Sequence, residues 1–118
     1  MTTKEFYEKI GEDYEAVLTR LGTDKMVHHF ALKFLQDPSF NNFKEAVSAD
    51  DGFTAFRAIH TLKGVTQNLG FAKLGEAASK LTEYLRADKQ LAGSEELYAA
   101  VQEQYNKVVD ALKELALN

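Results

Sequence analysis

The chain has no cysteine and no tryptophan, and its 118 residues include one proline, Pro38. Without cysteine it can form no disulfide, thiolate nucleophile, cysteine–zinc site or iron–sulfur cluster. No apolar run approaches the roughly 20 residues that a membrane-spanning helix needs. Residues 1–8 contain no apolar core of the kind a secretory signal carries. An excess of basic residues is also missing: 14 Lys and Arg stand against 18 Asp and Glu, a net charge of −4. General nucleic-acid binding needs a basic footprint that this balance does not supply. No Gly-rich nucleotide-binding loop is present, and a short helical chain leaves no room for an ATP domain. The expectation is a soluble, cytoplasmic protein that binds neither nucleic acid nor membrane.

What is present is helix-forming sequence. Ala, Leu, Glu and Lys dominate, and one proline forces few breaks. The length suits a single domain over residues 1–118. Residues 3–21 carry Phe6, Ile10, Tyr14, Val17 and Leu21 at spacings of 4, 4, 3 and 4, one stripe of an amphipathic helix. Thr2 and Glu5 are placed for a capping box, and Gly22 for the C-terminal stop. A second helix starts at Thr23 or Asp24, turns Met26, Val27, Phe30, Ala31, Phe34 and Leu35 inward, and ends before Pro38. A shorter helix fits residues 39–47, with Phe40, Phe43 and Val47 inward. Two further helices, residues 52–69 and 71–87, meet at Gly70 and are predicted to be antiparallel neighbours. The later one has the stripe Phe71, Leu74, Ala78, Leu81, Leu85. Ser94 is placed to cap a last helix striped by Leu97, Val101, Tyr105, Val108, Leu112 and Leu115. The predicted fold is all-α: an antiparallel up-down four-helix bundle with additional short helices.

One helix breaks the pattern of a plain surface. On a wheel for residues 53–69, Ala55, Ala58, Ile59, Leu62, Val65 and Leu69 share the core arc. His60, Lys63 and Gln67 fall roughly opposite, with Gly64 beside them. Phe56, one turn before His60, lies on the same outward face, and Phe53 lies near it. A glycine inside a helix costs about 1 kcal/mol relative to alanine. Gly64 therefore implies either close approach of another molecule or close packing of a neighbouring helix. An outward Phe exposes apolar area that a monomer does not gain from exposing. The pattern reads as a docking patch centred on one imidazole with a cation nearby. His28 and His29 are adjacent, point about 100° apart and do not converge on one ion, so no metal site is expected.

The string Arg57-Ala58-Ile59-His60-Thr61-Leu62-Lys63-Gly64, followed by Asn68-Leu69-Gly70, resembles the signature of histidine-containing phosphotransfer (HPt) domains. That pattern is roughly His-x-Leu-Lys-Gly with Leu-Gly at the end of the same helix. Phe56-Arg57-Ala58 is similar to the phosphotransfer domain of chemotaxis histidine kinases, and the Leu21-Gly22-Thr23-Asp24 turn also resembles the family. The resemblance implies that His60 carries a phosphoryl group through ring nitrogen Nε2. Free imidazole titrates near pH 6.5, which makes histidine a nucleophile at neutral pH. It implies that the Lys63 ammonium approaches the phosphoryl oxygens and that Gly64 leaves them room. Gln67 would extend the docking face, and Phe56 would give a partner an apolar anchor. Many family members carry a Glu or Gln 22 residues after the histidine to hold its ring; here that position is Thr82, with Glu83 next to it. Arg86, one turn on, would face the same groove and meet an acidic partner or the phosphate.

The implied partners are response-regulator receiver domains and a sensor histidine kinase, through small, short-lived contacts. The chain would need no cofactor of its own, since the metal ion and most catalytic groups belong to the receiver. It would be a phosphocarrier, not an enzyme with its own kinase activity, and a monomer. The initial Met and the end just past the last stripe suggest a free-standing protein; a module of a larger hybrid kinase is the other possibility. The competing function is an adaptor or dimerisation module that binds receiver or kinase domains without transfer.

Overall fold

Polar side chains placed before apolar runs start most of the helices. The computed structural model describes residues 1–117, and among them are seven α-helices and one 3-10 turn. These are α1 (Thr3–Lys9), α2 (Tyr14–Leu21), α3 (Asp24–Lys33) with the 3-10 turn Phe34–Gln36, α4 (Ser39–Ser48), α5 (Gly52–Asn68), α6 (Ala72–Arg86) and α7 (Glu95–Ala116). Thr2 and Glu5 form the expected capping box. Thr23 takes the cap of α3, accepting from the Met26 amide, and Asp51 caps α5 through the Thr54 amide. Such caps contribute about 1 kcal/mol each. No described helix is long and apolar enough to cross a membrane.

The bundle is built from α4, α5, α6 and α7. Helix α5 packs between α4 and α6, and α6 packs on α7. Phe40 and Phe43 of α4 then meet Tyr98 and Tyr105 of α7, with ring centroids 4.5 to 6.2 Å apart, and close the ring of helices. Fully burying a side chain of this kind contributes roughly 1.5–3 kcal/mol. Helices α1 to α3 cover the end of the bundle at the α5–α6 turn. There Phe71 receives Phe6, Tyr7 and Phe34, at 5.9, 5.9 and 5.3 Å. The all-α bundle expected from the stripes is what forms.

Three local expectations need correction. Residues 3–21 are two helices, not one. Gly11 has φ +71°, Asp13 caps α2, and the freed carbonyls of Ile10 and Gly11 accept hydrogen bonds from Lys73 Nζ on α6. A distant lysine thus satisfies the break, which a local stripe cannot report. Met26 points outward and is 42 % exposed, while Val27, Ala31 and Phe34 of the same segment are buried. Ser94 stands at the N-cap of α7 but donates its hydroxyl to the Leu91 carbonyl at 2.6 Å instead of capping an amide.

Tyr7 ties this end cap to the bundle. Its ring is fully buried and its hydroxyl donates to the Leu69 carbonyl, the last residue after α5, at 2.6 Å. Burial pushes the phenol well above its ordinary value. The folded state therefore holds this proton more tightly than the unfolded chain does. Its contribution is complete below about pH 10 and is lost as pH rises through the raised folded value. Tyr14, pushed up to about 12 chiefly by its hydrogen bond to Asp24, acts in the same direction. Thermal melts are expected to hold level from neutral pH to about pH 10 and then fall. Tyr7→Phe should cost about 1–2 kcal/mol at pH 7, because the Leu69 carbonyl loses its donor, and should soften the alkaline decline.

Candidate functional site

Helix α5 carries the site because its core arc leaves one face free. Ala55, Ala58, Ile59, Leu62 and Leu69 are buried, as the wheel indicates. Val65 is only half-buried, and Thr66 is buried in its stead, its hydroxyl donating to the Leu62 carbonyl at 2.8 Å. His60, Gly64 and Gln67 are exposed and Lys63 is half-buried. Helix α5 contains no Asp or Glu, whereas the chain as a whole is acidic.

No hydrogen bond from the described residues holds the His60 ring. Its ring neighbour is Phe56, centroid to centroid 5.9 Å at 36°. Gly64 is the open point of the face: a Cβ built there would meet nothing within 4 Å. The glycine that serves helix packing is Gly75 of α6, where a Cβ would sit 3.1 Å from Gln67 Cγ and 3.2 Å from Thr66 Oγ1. Of the two readings of Gly64, packing by a neighbouring helix is therefore removed.

Helix α6 supplies the other wall. Arg86 holds Glu83 through Nη2 and Nε at 3.1 to 3.3 Å. The Glu83 carboxyl is held below its ordinary range, first by the hydrogen bonds from Arg86, then by the charges of Arg86, Lys63 and His60. Glu83 thus lies within electrostatic reach of both His60 and Lys63. The Arg86 guanidinium also lies 5.5 Å from the Phe56 ring centroid, and Lys89 Nζ lies 4.6 Å from it.

One expectation about this wall is corrected. Thr82 is fully buried and donates its hydroxyl to the Ala78 carbonyl at 2.7 Å. It shares the core arc of α6 with Ala78, Leu81 and Leu85, so it presents nothing to a partner. The carboxylate on that turn within electrostatic reach of His60 is Glu83, paired with Arg86. Phe56 is half-buried against the core, with two cations over its ring. The aromatic that does stand free is Phe53, 60 % exposed, with the Arg57 guanidinium 6.0 Å from its centroid.

Gln67 stays on the outward face, and its carbonyl accepts from Arg20 of α2 at 2.9 Å. His28 and His29 stand away from this face. The His28 Nδ1 lies 2.9 Å from Thr3 Oγ1, and His29 meets Phe30 edge-on. The wheel found His60, Lys63, Gly64 and Gln67 because all four sit on one helix. It gave no weight to Lys89, which lies in the α6–α7 loop outside any periodic pattern. For Glu83 a signal existed: its spacing of three to Arg86 is that of a helical ion pair.

A family model for the Hpt domain matches residues 36–114. Comparison with curated proteins and with solved structures gives no match. The matched stretch runs from the turn before α4 into the last turns of α7, and so takes in the four bundle helices and the face around His60. The chain belongs to the Hpt domain family, whose members are helical phosphocarriers that work with response regulators and kinases in histidine phosphorelays.

Proposed function

We propose that this chain is a phosphorelay intermediate that accepts a phosphoryl group on His60 and passes it on. The donor is a phospho-aspartate of a receiver domain. His60 Nε2 attacks phosphorus with its lone pair, and Nδ1 keeps its proton. The acyl O–P bond of the phospho-aspartate breaks and its electron pair stays on the departing carboxylate. The observation that carries this reading is the setting of His60. It is exposed on the one bundle helix without a carboxylate, beside a glycine with open space above it.

Lys63, one turn on and half-buried, is placed to lend its ammonium to the phosphoryl oxygens. Arg86 is the second cation on this side; its pairing with Glu83 leaves it free to be shared, since exposed ion pairs are weak. Lys63→Ala is expected to slow transfer about tenfold while changing stability by less than about 1 kcal/mol. Single-turnover transfer measured alongside a thermal melt checks both halves; equal rates would remove the electrostatic role.

The test of the reading is transfer from phosphorylated receiver domains to the chain. Label that is stable to base and lost in acid marks phosphohistidine and supports it. Binding of receivers with no label from any of them would overturn it in favour of an adaptor.

A further inference from the structure

One residue of the α6–α7 loop is held in an unusual conformation and reaches the Phe56 ring. Lys89 has φ +58°, in the left-handed region that non-glycine residues disfavour. Its carbonyl packs so tightly on the first residue of α5 that any Cβ at Gly52 would overlap it. The loop is fastened on both sides of this contact. Tyr84 donates its hydroxyl to the Ala92 carbonyl at 2.7 Å, and the Lys89 amide donates to the Leu85 carbonyl at 3.1 Å. The result is a strap across the start of α5. It delivers Lys89 Nζ to 4.6 Å from the centroid of Phe56, where the ammonium also donates to the Arg86 carbonyl at 2.6 Å.

Among the described residues Phe56 is the one ring neighbour of His60, with centroids 5.9 Å apart, and no hydrogen bond orients that imidazole. A chain of contacts therefore runs from strap to nucleophile: Lys89 and Arg86 on Phe56, Phe56 on His60. Cation–π attraction favours the ring face, so it fixes the plane of Phe56 as well as its place. The plane of Phe56 in turn limits the rotamers open to the neighbouring imidazole.

We propose that Lys89 and Phe56 are positioning residues: the strap holds Phe56, and Phe56 holds the His60 ring in the orientation from which it takes the phosphoryl group. This rests on the reading of His60 above. It also gives Phe56 a role different from that of a partner's anchor, and the two roles separate experimentally. An anchor matters only when a receiver docks. A positioning residue matters for any donor, including one with no docking surface.

The experiment uses phosphoramidate, a small donor whose P–N bond breaks as the Nε2–P bond forms, with ammonia leaving. Lys89→Gly keeps the left-handed backbone without its strain and removes the ammonium. Its melting temperature is expected to be unchanged or higher. Phosphorylation of His60 is expected to slow about tenfold, short of the ~100-fold that misplacing a reacting group by about 1 Å can cost. The Cδ2–H and Cε1–H resonances of His60, which a neighbouring Phe56 ring is expected to displace, should move. Phe56→Leu should reproduce both the slower rate and the moved resonances, and Lys89→Arg should restore wild-type behaviour. A Lys89→Gly protein with unchanged rate and unchanged His60 resonances overturns the inference, since a purely structural lysine would shift only the melt. Loss of transfer from receivers alone, with phosphoramidate kinetics intact, overturns it in favour of the anchor. If the wild type accepts no phosphoryl group from any donor, the reading of His60 fails separately. The resonances then decide alone: movement in Lys89→Gly upholds the coupling from strap to ring, and no movement overturns it.

Discussion

His60→Ala is expected to take up no acid-labile label from any phosphorylated receiver and to fold as the wild type does. The loss should be complete because the transfer needs a lone pair on nitrogen at that point of α5, and alanine has none. The other imidazoles do not substitute, since His28 and His29 are on α3, engaged with Thr3 and Phe30. The fold should persist because the exposed ring makes no hydrogen bond to the described residues and buries nothing in the core. Alanine is also the better helix former, so the net change should stay within about 0.5 kcal/mol. Circular dichroism and a thermal melt establish the fold, and acid lability establishes the chemistry. A labelled His60→Ala protein would place the phosphoryl group elsewhere and sink the assignment.

The second large effect is expected at Gly64. Gly64→Gln should reduce transfer from receivers by about 100-fold or more, while making the protein slightly more stable. The stability half follows from helix propensity, since glycine in a helix interior is worse than most residues by about 0.5–1 kcal/mol. Nothing within 4 Å opposes a Cβ at Gly64, so no clash offsets that gain. The loss of transfer follows from the same fact seen from outside. On the proposed reading the phosphoryl group and the donor's loop enter through the free space beside His60, and a displacement of about 1 Å at a reacting centre can cost about 100-fold. A more stable protein with less activity is an outcome that misfolding cannot mimic. Normal receiver transfer by Gly64→Gln would show that the open space is not used.

The exposed face shared by these two residues is legible in the sequence because it depends on one helix. A period of about 3.6 residues puts His60, Lys63 and Gln67 on one line and Gly64 beside it, and the buried arc through Ala55, Ile59 and Leu62 confirms the phase. Thr82 shows how far a motif position reaches. Counting 22 residues from His60 lands on the core arc of α6, whereas the apolar stripe through Ala78, Leu81 and Leu85 already places Thr82 among buried neighbours. The helix phase is the better guide there, and the next residue, Glu83, is exposed and within electrostatic reach of His60 and Lys63. Phe56 shows the converse limit. Its place on the outward arc of α5 is right, but the wheel of one helix contains no information about Arg86 and Lys89 arriving from another.

The all-helical class, the placing of most helices, the apolar stripes and the histidine-centred face follow from local sequence, because propensity, caps and periodicity act within a few residues of chain. Tertiary structure decided what lies between helices. It broke the first predicted helix at Gly11, where Lys73 of α6 satisfies the free carbonyls. It closed the ring of helices through Phe40, Phe43, Tyr98 and Tyr105. It laid a strap from the α6–α7 loop over Gly52 and set Lys89 above Phe56. Each of these contacts joins residues far apart in the chain, and whether such residues meet depends on how whole helices pack, which no local pattern encodes.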